Sequence, residues 1–149
     1  MTAEIKIYDS FQKYMGDGTI DLDNDTFKVA LVSSSYTPSA SHTTFSDITD
    51  ELPTAFGYIS GGNTLSSISW TQTGNIIVWN AASTAWDAIG GDIVARYAVI
   101  YKSGTSNSIV DPLVAYILLD NTHADVTIID TRSLLLKFDP AGIFDLTNV

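Results

Sequence analysis

From Thr26 onward the hydrophobic residues recur with a period of two, and this alternation constrains the fold more than any other feature of the chain. In TFKVALV, Phe27, Val29 and Leu31 share one face and Lys28, Ala30 and Val32 the other, which predicts a strand over 27–32. LSSISW (65–70) and NIIVWN (75–80) flank the turn TQTG and read as a hairpin. DIVARYAVIYK (92–102) places Ile93, Ala95, Tyr97, Val99 and Tyr101 on one face. LVAYILLD (113–120) is apolar on both faces, as expected of a central strand covered on both sides. VTII (126–129), LLLKF (134–138) and the closing FDPAGIFDL complete a set of about eight strands separated by short turns. The predicted fold is therefore all-β, a sandwich or barrel.

Two segments depart from that period. Residues 3–15 space Ile7, Phe11 and Met15 four apart, with Tyr8 and Tyr14 nearby and Gly16 as a stop. They predict a short helix, or an arm that orders against a partner. The expected division is thus an N-terminal helix or arm over 1–20 and a β domain over 21–149. Phe45–Leu52 (FSDITDEL) predicts one or two helical turns, with Thr44 as N-cap, Asp47 at the third position and Pro53 as the stop. Ahead of it, SSSYTPSASHTT is a polar loop long for a compact domain, and FGYISGG (56–62) reads as a short extended piece ending in a glycine turn.

Charge and composition narrow the function classes. Seven Lys and Arg against 17 Asp and Glu give a net charge of −10, which repels phosphate backbones and excludes nucleic acid as an expected partner. No stretch approaches the roughly 18 apolar residues of a membrane helix, so no membrane partner is expected. The chain has no cysteine, which removes disulfides, thiolate metal sites and cysteine nucleophiles. No secretory pattern is visible, so synthesis in a cytoplasm is the expectation.

Sites for chemistry are sparse. DLDNDTF places Asp21, Asp23 and Asp25 at alternate positions, as a calcium loop does. Counted from Asp21, however, the sixth residue is Thr26 rather than glycine and the twelfth is Val32 rather than glutamate. The three aspartates are a weak calcium candidate, and a solvated turn ahead of the first strand is the simpler expectation. His42 and His123 both fall in polar loops without a second ligand at a useful spacing. There is no G-x-S-x-G elbow, Walker A lysine or dinucleotide fingerprint, and nothing singles out a pair among the 17 acids, so no enzyme and no cofactor are expected. Trp70, Trp79 and Trp86 lie close in sequence and raise a sugar-stacking platform as an alternative. Trp70 and Trp79 share faces with Ile68 and Ile77 and read as core, while Trp86, in AASTAWDAIGG, is the expected exposed glycan contact.

The ordered set GDGTIDLDNDTFKVALVSSSYTPS, HTTFSDITDEL, FGYISGGNTL, ARYAVIYK and FDPAGIFDL covers most of the chain. It resembles a family of small virion structural proteins of tailed bacteriophages, commonly encoded among head and tail morphogenesis genes. The chain departs from that pattern at ELPTAFGYISGG, where family members are usually richer in glycine. The resemblance implies a non-enzymatic particle component with no catalytic or cofactor residues. The expected role is head decoration or cement protein bound to the major capsid protein or other virion proteins, as a homo-oligomer with a trimer favoured. A tail or baseplate component is the nearest alternative. Tyr8, Phe11 and Tyr14 in the N-terminal segment and Tyr36 and Phe45 in the long loop are the expected interface aromatics.

Overall fold

The computed structural model describes residues 4–148; residues 1–3 and 149 of the two expected units lie outside them. The fold is all-β, with one α-helix, α1 (Asp9–Gly16), and one 3-10 turn, Phe45–Asp47, among the described residues. At its centre is a five-stranded antiparallel sheet in the order β1 (Glu4–Ile7), β11 (Leu113–Leu118), β8 (Tyr97–Lys102), β2 (Phe27–Val32) and β3 (Asn63–Thr64). Smaller antiparallel sheets surround it. The hairpin β4 (Ser69–Thr73) and β5 (Ile76–Asn80) is extended by β14 (Phe144–Thr147). β6 (Thr84–Asp87) pairs with β13 (Ser133–Leu136), β7 (Ile93–Ala95) with β12 (Val126–Ile128), and β9 (Thr105–Ser106) with β10 (Ile109–Val110). Among the described residues no sheet closes on itself into a barrel.

The two faces of the central sheet carry two separate cores. Phe27, Val29 and Leu31 of β2 line up with Ile100 and Ala98 of β8 and with Ala115 and Ile117 of β11. Over them pack Trp79, Trp86, Ile93, Leu134 and Leu136 from the smaller sheets, together with Phe11 and Tyr14 of α1. The alternate residues Ala30, Val32, Val99, Tyr101 and Leu113 face the other way, under Tyr8, Tyr36 and Ile48. The long polar loop 33–44 therefore covers one face of the sheet, and Phe45 stacks on Tyr101 with ring centroids 4.1 Å apart. Fully burying a large apolar side chain stabilises the fold by ~1.5–3 kcal/mol, and every β2 residue except Lys28 is apolar and buried.

Several expectations are corrected. The N-terminal segment is not helix throughout: its first part is strand, and β1 pairs with β11 residue by residue from Glu4↔Leu118 to Ile7↔Ala115. The predicted single strand 92–102 is two, because the chain changes partners at Arg96. Arg96 N–H donates to Val32 O and Leu119 N–H to Arg96 O, so the backbone turns there from β12 to the central sheet. The hairpin forms, but its strand starts at Ser69 and its loop is Gly74–Asn75, between the paired Thr73 and Ile76. Gly74 at φ +61° takes the first loop position, where a type II′ turn requires glycine. β11 is covered on both faces as expected, although β8 holds the middle of the sheet.

Candidate interaction surface

The segment after the 3-10 turn is tied to the end of β2. Leu52 N–H donates to Leu31 O at 3.0 Å, and Val32 and Glu51 form an isolated bridge. Pro53 then leads into a tight hairpin in which Ala55 and Tyr58 exchange both backbone hydrogen bonds, at 2.9 and 3.0 Å. Both tip residues have positive φ, Phe56 at +53° and Gly57 at +91°, the pattern of a type I′ turn. That position normally takes Asn, Asp or Gly, and a left-handed conformation costs a phenylalanine about 1–2 kcal/mol. Gly57 is required for a second reason: a Cβ there would lie 1.9 Å from Asp87 O.

Buried groups lock the base of this turn. The Tyr58 hydroxyl accepts from Leu31 N–H at 3.1 Å and donates to Glu51 Oε1 at 2.7 Å. Glu51 also accepts from Ser60 Oγ and Gly61 N–H. Burial, reinforced by the bond to Glu51, raises the Tyr58 pKa far above the usual phenol range. The tip is held as well, since Ile89 N–H donates to Phe56 O at 3.1 Å and the Phe56 ring lies against Gly91. The 87–92 loop is in turn joined to the loop after β12. Ala88 N–H donates to Arg132 O, Thr131 N–H to Ala88 O, Gly90 N–H to Asp130 Oδ1 and Asp130 N–H to Asp92 Oδ1, all at 2.8–2.9 Å.

The three bonded loops and the adjoining strand β7 each carry exposed apolar side chains. Phe56 is 49% exposed, Ile59 69%, Ile89 67%, Val94 41% and Ile129 54%. Single exposed apolar side chains are ordinary, whereas several on mutually bonded segments make a candidate for an interaction surface. A concavity of about 200 Å³ is lined by Leu52, Pro53, Ala55, Phe56, Tyr58, Asp92, Ile93 and Val94.

Most residues expected at a partner surface lie elsewhere. Tyr8, Phe11, Tyr14 and Tyr36 are buried, so they are not exposed anchors; Phe45 is half-buried against Tyr101. Tyr8 and Tyr36 share a hydrogen bond of 3.2 Å, and Tyr36 is bonded to His42 Nδ1 at 2.8 Å, which takes His42 out of open solvent. Burial raises the pKa of both tyrosines, and their mutual bond adds to the shift at Tyr8 while opposing it at Tyr36. His123 remains exposed.

Trp86, the expected glycan contact, is 3% exposed because β6 turns it inward beside Ala88. Trp79 is fully buried, its indole N–H donating to Leu22 O at 3.1 Å, and Trp70 packs on Phe144. The three tryptophans form no shared exposed face.

The aspartates of DLDNDTF serve the turn. Asp21 Oδ1 accepts from the N–H groups of Asp23 and Asn24, and its other oxygen takes the Asn24 amide, which together hold its carboxyl below the usual range. Asp25 accepts from Asp21 N–H at 2.7 Å and pairs with the buried Lys102 at 2.8 Å. Lys102 also donates to Thr19 O and Ser106 Oγ, so this acidic stretch fastens the loop before β2 to the end of β8. Among the described residues no three His, Asp or Glu are grouped to hold a metal ion.

The sequence signal for the exposed surface was the Phe-Gly pair after Pro53, in the one segment that departs from the resembled pattern. Comparison of the chain with protein-family profiles, with curated proteins and with solved structures finds no match.

Proposed function

We propose that this protein is a non-enzymatic structural component of a tailed-bacteriophage particle, made in the host cytoplasm and assembled as a decoration or cement protein on the outer surface of the head. The observation that supports an adhesive role is the held turn that exposes Phe56 beside Ile89, to which its backbone is bonded, and Val94, with which it lines one concavity. Phe56 holds a left-handed conformation that disfavours a bulky side chain, and half of that side chain is left exposed. Strain retained at an exposed tip points to a function for the displayed side chain. The sequence resemblance supplies the setting, a virion.

Mechanistically, the protein would act by covering surface. Contacts spread over neighbouring capsid subunits bury apolar area, and a stable interface needs about 1,200–2,000 Å² in total. Repetition around a symmetric shell multiplies such contacts, and a trimer matches a local threefold axis. The acidic surface keeps the protein off packaged or released DNA.

The test is to image particles assembled with and without the protein and to compare their resistance to heat and osmotic shock. Added density on the head and a sturdier shell are expected. Identical heads of identical resistance would sink the cement role, and density on the tail would move the protein to the tail or baseplate.

A further inference from the structure

We propose that the concavity beside Phe56 is a socket for one apolar side chain carried on a basic segment of a partner protein. This rests on the adhesive reading above and names the chemistry of what is bound.

Size comes first. Small-molecule sites run to about 300–1,000 Å³. At about 200 Å³ with walls almost wholly of carbon, this one suits a single Leu, Ile, Met or Phe anchor rather than a free ligand. The walls are fixed, because the 55–58 turn is bonded at its base through Tyr58 and Glu51 and at its tip through Ile89. An anchor entering a preformed socket pays little ordering entropy, the condition under which a buried anchor contributes most.

Charge then selects the partner. The segments that build this end, 48–62, 86–95 and 126–133, carry Asp50, Glu51, Asp87, Asp92 and Asp130 against one base, Arg132. Asp87, Asp92 and Asp130 are exposed around Ile89. A second copy of this chain docking through the same patch would bring two such acidic rims together, within a molecule of net charge −10. A segment with Lys or Arg beside its apolar anchor meets attraction instead, and gains encounter rate as well as specificity.

The experiment selects displayed random peptides on the immobilised full-length chain and measures the winners by fluorescence anisotropy. Expected winners pair one apolar anchor with neighbouring Lys or Arg. Their binding weakens by about threefold or more from low to physiological salt, as an interaction steered by exposed charge does. Val94→Lys should weaken it by about tenfold or more, as loss of a socket wall does at an interface centre. Ile76→Lys, at an exposed site in another sheet, should leave it unchanged. Val94 is 41% exposed and Ile89 67%, so Val94→Lys, with Ile89→Lys as a second variant, should keep the wild-type melting temperature.

Winners without basic residues, winners that bind Val94→Lys as well as wild type, or an empty selection would each overturn the proposal. So would a wild-type oligomer in sedimentation that Val94→Lys dissociates, since the socket would then hold a second copy. If the protein is missing from purified particles while the peptides behave as expected, the virion reading falls and the socket stands.

Discussion

Residues 33–44 and 53–62 are both loops rich in small and polar residues; the first buries its Tyr36, whereas the second buries Tyr58 at its base and leaves Phe56 exposed at its tip. Tyr36 is 2% exposed, Phe56 49%. The longer loop folds back on the sheet, where Tyr36 meets the Tyr8 hydroxyl and sits edge-on to Tyr97 at 5.8 Å. The shorter one closes on itself through the Ala55–Tyr58 pair, and a two-residue turn has no length with which to return its tip to the core. An aromatic residue in a polar loop therefore does not tell whether it anchors the fold or a partner. Its place in the backbone closure does: Phe56 at the tip is exposed, Tyr58 at the base is buried.

The sharpest way to break this contrast is truncation. Tyr8→Ala, beneath the 33–44 loop, should cost ~3–5 kcal/mol, with Tyr36→Ala close behind, whereas Phe56→Ala should cost under ~1 kcal/mol. Urea unfolding of the three variants checks this. If Tyr36→Ala is as mild as Phe56→Ala, the long loop is no part of the core.

Alkali probes the same buried layer. Burial raises the pKa of Tyr8 and Tyr58 strongly and pushes Tyr101 up to about 12, with the carboxylates of Asp111 and Glu51 adding to the last. Each phenol holds its proton longer folded than unfolded. Its contribution is thus complete below the unfolded pKa, near 10, and is lost as pH climbs from there toward the folded value. Stability should fall by roughly 1 kcal/mol per tyrosine between about pH 10 and 11. Melting temperatures across this range should drop less steeply for Tyr8→Phe than for wild type. Parallel curves would place Tyr8 in contact with solvent.

How much of this could be read from the sequence depended on how local the cause was. The strand Phe27–Val32 declares itself by alternation, and the turn at Phe45 by its Thr44–Asp47 capping box, which forms with the reciprocal bonds expected. The break at Arg96 did not show, because the residues on either side are equally strand-like and only their distant partners differ. Trp86 was hidden similarly: in TAWDA the inward positions are Trp86 and Ala88, a period of two masked by small and polar neighbours. The exposed surface was least legible, since Phe56 meets Ile89 through a backbone hydrogen bond and Val94 across a shared concavity, both far from it in the chain.

A smaller effect is expected where the turn meets its neighbour. Gly57→Ala places a Cβ against Asp87 O in a backbone conformation that alanine disfavours, and should cost about 2–3 kcal/mol. Because the clash is with backbone, the turn must lift away from the 87–92 loop. Peptide binding should then fall together with stability. A stable Gly57→Ala variant that still binds would mean that the two loops are not rigidly joined.

The smallest change in stability should accompany one of the largest in binding. Phe56→Gly removes a half-exposed ring, losing about 1 kcal/mol of burial, and relieves a left-handed strain of about 1–2 kcal/mol. Glycine's greater freedom in the unfolded chain takes back part of that relief, so the net change should stay within about 1 kcal/mol. The same substitution deletes one wall of the socket. Unfolding and peptide binding measured on this one variant therefore separate the two roles an aromatic residue can have. A loss of several kcal/mol would make Phe56 a core residue like Tyr36, whereas unchanged stability with lost binding identifies a side chain held in strain for a partner.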